Sequence, residues 1–124
     1  MNDDLSSVAV LHECQSADIA GSVSLFRDLP TLVRAVEPVD VRNGEYLVYT
    51  LSGRRLDLGI ENGGVRIAPS DGDEDCSAFV RRLLEYAADH VIGARKHRGD
   101  KGVEGLDPRT CSLDELVELI GFST

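Results

Sequence analysis

The chain has 124 residues, a length that suits one domain around one core. Hydrophobic residues make up 42% of it, too many for a disordered segment, and no apolar run approaches the roughly 20 residues that span a bilayer. A net charge of −9 repels phosphate backbones, which argues against general nucleic-acid binding and favours a basic protein as partner, although acidity also serves solubility alone.

The N-terminus, Met1-Asn2-Asp3-Asp4, lacks the basic start of a signal peptide, so the expected location is cytoplasmic. Cys14, Cys76 and Cys111 are odd in number and form no C-x-x-C pair. Free thiols in a reducing compartment fit this better than a disulfide framework or a zinc ribbon.

Residues 1–5 read as a frayed start and residues 8–14, with β-branched content, as a strand. A polar connection at residues 15–18 follows. In residues 20–26, Val23 and Leu25 alternate with Ser22 and Ser24 as in a strand, while Ile19, Val23 and Phe26 also fit helical spacing; the strand is preferred. Asp28 looks like an N-cap with Pro30 in the first helical turn, and Leu29, Leu32, Val33 and Val36 share one helical face that Pro38 closes.

The stretch 36–69 predicts a four-stranded antiparallel meander over residues 39–42, 45–51, 54–60 and 65–68. Its turns fall at Asn43-Gly44, Ser52-Gly53 and Asn62-Gly63-Gly64, residues that accept positive φ. Residues 45–51 are apolar on both faces and should be central. In the next strand Leu56, Leu58 and Ile60 share a buried face, and Arg55, Asp57 and Gly59 a wetter one.

An acidic loop at residues 69–75 leads into a helix over residues 77–92, with Phe79, Val80, Leu83, Leu84, Ala87 and Val91 as its apolar stripe and Gly93 as its stop. This helix is the main candidate to cover the sheet. Residues 94–110, rich in glycine and charge, read as a long mobile or partner-ordered loop. A final helix starts at Ser112, which has capping-box spacing to Glu115, and ends at Gly121.

Chemistry-bearing residues are sparse. His12 and Cys14 project to one face of a strand, yet no second ligand pair follows, so a structural role is expected and no metal or other cofactor is assigned. Asp71-Gly72-Asp73-Glu74-Asp75 starts like a calcium loop. The positions that need glycine and an acid hold Cys76 and Arg82, so these acids are read as favouring the positive end of the following helix. Glu85, Tyr86, Asp89 and His90 share a helix, but Asp89 and His90 are adjacent and do not face each other as a catalytic pair. No catalytic residue is assigned and a non-enzyme is expected. The basic run Arg95-Lys96-His97-Arg98, with Lys101, reads as a solvated loop capping the negative end of that helix.

The segments Leu29…Leu32-Val33…Val36-Glu37-Pro38-Val39-Asp40-Val41, Glu45-Tyr46 and Ser52-Gly53-Arg54 together resemble a helix–meander pattern of small bacterial immunity proteins from contact-dependent or polymorphic toxin systems. The resemblance spans about a third of the chain and rests on turn and core residues. It implies a single-domain cytoplasmic binder of a secreted toxin domain, often a nuclease, and supplies no contact residues. The expectation is therefore one α+β domain over residues 1–124, an antiparallel meander sheet with helices packed mainly on one face. Its expected partner is a basic toxin domain, with no nucleic acid and no membrane. The docking candidates are Asp71, Asp73, Glu74 and Asp75 in the acidic loop, then Asp57 and Glu61 on the wet side or end of the meander. The alternatives are a general interaction or regulatory module and a small metal-dependent enzyme using His12 and Cys14.

Overall fold

The computed structural model describes residues 8–13, 23–72 and 74–123. In chain order these form β1 (Ala9–Glu13), β2 (Val23–Phe26), α1 (Leu29–Ala35), α2 (Pro38–Arg42), β3 (Tyr46–Thr50), β4 (Arg55–Glu61), β5 (Gly64–Pro69), α3 (Ser77–His97) and α4 (Leu113–Ile120). Two 3-10 turns, Lys101–Val103 and Pro108–Thr110, connect α3 to α4. The strands make one antiparallel sheet in the order β2-β1-β3-β4-β5, so the fold is α+β as expected. The residues expected at 1–5, 15–18 and 20–22, together with Cys14, lie outside the described residues.

Alternation along the strands builds two cores. Val10, Val23, Leu25 and Tyr49 point to one face, where they meet Val80, Leu83, Leu84, Ala87 and Ala88 of α3 and Leu116 of α4. Ala9, Leu11, Phe26, Val48 and Leu56 point to the other, where Leu29, Leu32 and Val36 in and beside α1 and Val41 of α2 cover them. Burying each large side chain contributes roughly 1.5–3 kcal/mol, so neither layer is dispensable. The two longer helices thus lie on one face, and the short pair backs the opposite one.

This arrangement decides what stays open. Leu58, Ile60, Val65 and Ile67 sit on the face of α1 and α2, not under α3 as the length of that helix suggested. On the α3 side of β4 and β5, Arg55, Asp57, Gly59, Glu61 and Arg66 are exposed. The wet face expected from their alternation is there.

Local chemistry fixes the ends. Asp28 caps α1, its Oδ1 accepting from the N–H of Thr31 at 2.9 Å and the hydroxyl of Thr31 at 2.7 Å. Ser112 and Glu115 close a reciprocal capping box at 3.1 and 2.8 Å. Asn62 (φ 52°) and Gly63 (φ 79°) make the tight β4–β5 turn. At Gly53, φ is 101° and a Cβ would collide with the backbone of Ser77, so the start of α3 rests on a residue that must be glycine.

Several expectations are corrected. Residues 39–42 are helical: Pro38 supplies the preset φ of a first helical position, and of the two valines only Val41 is buried. The meander therefore has three strands, and β1 pairs with the other edge of β3. Gly93 does not stop α3, which runs on to His97; the C-terminal turn comes at Gly99 (φ 81°), where the Asp100 N–H reaches the Arg95 carbonyl at 3.0 Å and the Gly99 N–H the Lys96 carbonyl at 2.9 Å. The basic run is thus the last turn of a helix rather than a loop. The segment after it is held by Asp100, which accepts from Gly102 N–H and Arg95 at 2.8 Å each, and by buried Val103 and Pro108.

Candidate functional site

Two surfaces among the described residues bear on function. The first is the open face of the β4–β5 hairpin with the loop that follows it. Asp57 faces outward and lies opposite Ala68, two residues before the loop begins, and the Ser70 N–H bonds the Arg55 carbonyl at 3.2 Å. Asp57 is thereby placed at the end of the hairpin from which Asp71 and Glu74 extend, and all three carboxylates are exposed. Asp73 lies outside the described residues.

Asp75 and Glu61 belong elsewhere. The Oδ1 of Asp75 accepts the Ser77 N–H at 2.8 Å, and the bonds from Ser77 hold its carboxyl below the usual carboxylate range. Asp75 closes the first turn of α3, as expected for an acid ahead of a helix. Its backbone also bridges Arg54. Glu61 sits at the turn end of the hairpin, about 13 Å from Asp57 along the strand, and its Oε2 lies 3.6 Å from Arg66. The six predicted acids therefore do not form one patch. Asp57, Asp71 and Glu74 stay exposed on the strand and loop at one end of the hairpin, Asp75 bonds the start of α3, and Glu61 is paired at the other end, with Arg54, Arg55 and Arg66 interleaved in sequence.

The second surface was not anticipated. A cleft of about 400 Å3 runs between the outer side of α3 and the second 3-10 turn, lined by Arg82, Glu85, Tyr86, Asp89, Asp107 and Arg109, with Pro108 behind. Arg81 builds it. The Nε of Arg81 donates to Glu85 at 2.8 Å, one turn along, and its Nη2 donates to the carbonyls of Pro108, Arg109 and Cys111. Arg109, 80% exposed, donates to Asp107 at 3.2 Å, and Glu85 and Asp89 add to the field that raises its pKa above the ordinary guanidinium value after the Asp107 bond. The cleft is a mixed-charge surface with an aromatic floor, suited to charged side chains. The i,i+4 spacing of Arg81 and Glu85 is visible in sequence, but their contact to a turn some thirty residues later is not.

His12 lies on β1 facing α3, with its ring edge-on to Phe79 at 6.1 Å between centroids. Its Nδ1 is buried without a hydrogen-bond partner among the described residues, and burial pushes the imidazole pKa down. Among the described residues no group of three His, Cys, Asp or Glu side chains is placed to hold a metal, and Cys14 lies outside them. No helix among the described residues is long and apolar enough to cross a membrane. No family model, no curated protein and no solved structure matches the chain.

Proposed function

We propose that this chain is an acidic, single-domain cytoplasmic immunity protein that binds and neutralises a cognate bacterial toxin domain, with a basic nuclease domain as the first candidate class. The observation that carries the reading is the exposure of Asp57 on the half of the sheet that α3 leaves open and of Asp71 and Glu74 in the loop that follows β5, on a chain of net charge −9. Such a surface attracts a basic domain and orients it before contact, and it repels nucleic acid that would compete for the same partner. Inhibition by such a binder is steric: it covers the partner and needs no chemistry of its own.

The test is co-expression with the product of the adjacent gene, followed by purification through a tag on either protein. The reading requires a stable one-to-one complex with a basic domain and loss of that domain's toxicity in cells. A neighbouring product that neither binds nor harms cells in the absence of this chain would refute it and leave a general interaction module.

A further inference from the structure

The outer stripe of α3 is complementary to itself. Two of the exposed large apolar side chains, Phe79 (41% exposed) and Tyr86 (47%), lie on it two helical turns apart. Arg82 stands four residues before Tyr86 and Asp89 three after it; both are exposed and neither enters an ion pair among the described residues. Gly93 stands two turns beyond Tyr86, where Phe79 stands two turns before it. Gly93 is exposed in the interior of a helix, and a Cβ built on it meets nothing within 4 Å. Glycine disfavours a helix interior, and nothing among the described residues requires it at position 93.

We infer that this stripe is the contact face of a homodimer, in which α3 of two copies pack antiparallel about a two-fold axis at Tyr86. The symmetry makes each half of the stripe the partner of the other half. Tyr86 meets its own copy at the axis. Arg82 comes opposite Asp89 of the second copy at both ends of the contact. The free side of the Phe79 ring seats over Gly93 of the second copy, where the missing side chain lets the helices approach. A parallel arrangement would set arginine against arginine and aspartate against aspartate, and it would align the two helix dipoles instead of opposing them. The partner is thus a second copy of this chain, and the inference does not depend on the identity of any toxin. The repulsion between two copies of net charge −9 works against association and is screened over about 8 Å at physiological salt.

The experiment is sedimentation equilibrium of the full chain in 0.15 M salt, over about 1–500 μM, the range in which a contact of a few side chains per copy dissociates. The wild type should rise from the chain mass of 13.4 kDa toward twice that value. Arg82→Glu should keep the protein monomeric throughout, because it places two acids together at each end of the contact. Asp89→Arg should do the same with two bases. The double variant R82E/D89R exchanges the charges and should restore the dimer, an outcome that a change in net charge or in folding does not mimic. Gly93→Leu should abolish association while the far-ultraviolet circular dichroism stays that of the wild type. A wild type that stays at the monomer mass over the whole range overturns the inference, and so does a dimer that persists in both R82E and G93L.

Discussion

The guanidinium of Arg81 donates to the carbonyl oxygen of Cys111, thirty residues later in the chain. The same nitrogen reaches the carbonyls of Pro108 and Arg109 at 3.3 Å, while Nε is fixed on Glu85 at 2.8 Å. Four acceptors around one side chain set the segment that leads into α4 against the N-terminal part of α3. Charge-assisted bonds of this kind contribute about 1.5–3 kcal/mol where their geometry is good. Arg81→Ala should lower the unfolding free energy measured in urea by about that much, and Arg81→Lys should recover little of it, because an ammonium cannot span the carboxylate and the carbonyls together. A lysine variant as stable as wild type would show that only the charge at this position matters.

Both faces of the sheet should be equally sensitive to truncation. Leu83 and Leu84 fill the layer under α3, and Leu32 fills the layer under α1; all are buried. Each change to alanine should cost about 2–5 kcal/mol in chemical denaturation. If Leu32→Ala is nearly neutral, the short helices are an accessory layer and not half of the fold.

Local signals in this sequence were legible where one or two residues decide an outcome. Asp28, the pair Ser112 and Glu115, and Asn62-Gly63 are each at the cap or turn their chemistry calls for. Errors arose where a tertiary contact overrode a local pattern. Val39 and Val41 alternate like strand residues, but Pro38 starts a helical turn, and Tyr46 secures it through a 3.2 Å bond to Asp40. Gly93 looked like a stop, yet good helix formers follow it and the true terminal turn waits for Gly99. The segment after α3 looked loose because its clamp, Arg81, lies far away in sequence. The same holds for the site. The outward placement of Asp57 and the service of an acid to the start of α3 followed from strand alternation and helix-end electrostatics, whereas the separation of Asp57 from Glu61 and the pairing of Glu61 with Arg66 required the structure.

Two glycines should respond in opposite directions. Gly53→Ala places a Cβ against the Ser77 backbone at a φ of 101°, so the turn or the start of α3 must move and the melting temperature should fall sharply. Gly93→Ala meets nothing among the described residues and removes a helix-interior glycine, which should stabilise the monomer by about 0.5–1 kcal/mol. Equal effects of the two changes in thermal melts at low protein concentration would contradict this assignment of their roles.

Stability should vary with pH through two identifiable rings. His12 is held neutral by burial, with its pKa below the ordinary 6.5, and its ring packs against Phe79 on a face shared with Tyr49. The unfolded chain binds this proton first, so stability is complete above pH 6.5 and falls as pH drops toward the folded pKa. Tyr46 behaves in the opposite sense: burial, then its bond to Asp40, raises its pKa from 10.0 to about 12. Its contribution is complete below pH 10 and is lost as pH rises toward about 12. His12→Phe should flatten the first slope, and Tyr46→Phe should shift only the second. An unchanged acid slope in His12→Phe would assign that slope to carboxylates such as Asp28, whose pKa the Thr31 bonds hold down.

Capture of a basic partner should depend on the three exposed acids that are unpaired among the described residues, Asp57, Asp71 and Glu74, and not on Asp75, which bonds the start of α3, or Glu61, which pairs with Arg66. Asp57, Asp71 and Glu74 are exposed and contribute no hydrogen bond or ion pair among the described residues, so neutralising them should leave the denaturation midpoint nearly unchanged. Asp75 must be kept, because its bond to the Ser77 N–H starts α3 and its loss would confuse a folding defect with a docking defect. Attraction between net charges acts before contact, so the triple variant D57N/D71N/E74Q should associate more slowly while its dissociation rate stays close to that of the wild type. Raising salt should slow the wild type more than the variant, since the Debye length falls from about 10 Å at 0.1 M to about 3 Å at 1 M. Glu61→Gln serves as the control: this acid is already compensated by Arg66 and lies at the other end of the hairpin, so its effect on association should be the smallest of the set. Stopped-flow mixing with the co-purified partner at two salt concentrations reads all of these rates. If the triple variant associates as fast as the wild type at low salt while E61Q is slow, the docking surface lies at the turn end of the hairpin and not beside the loop.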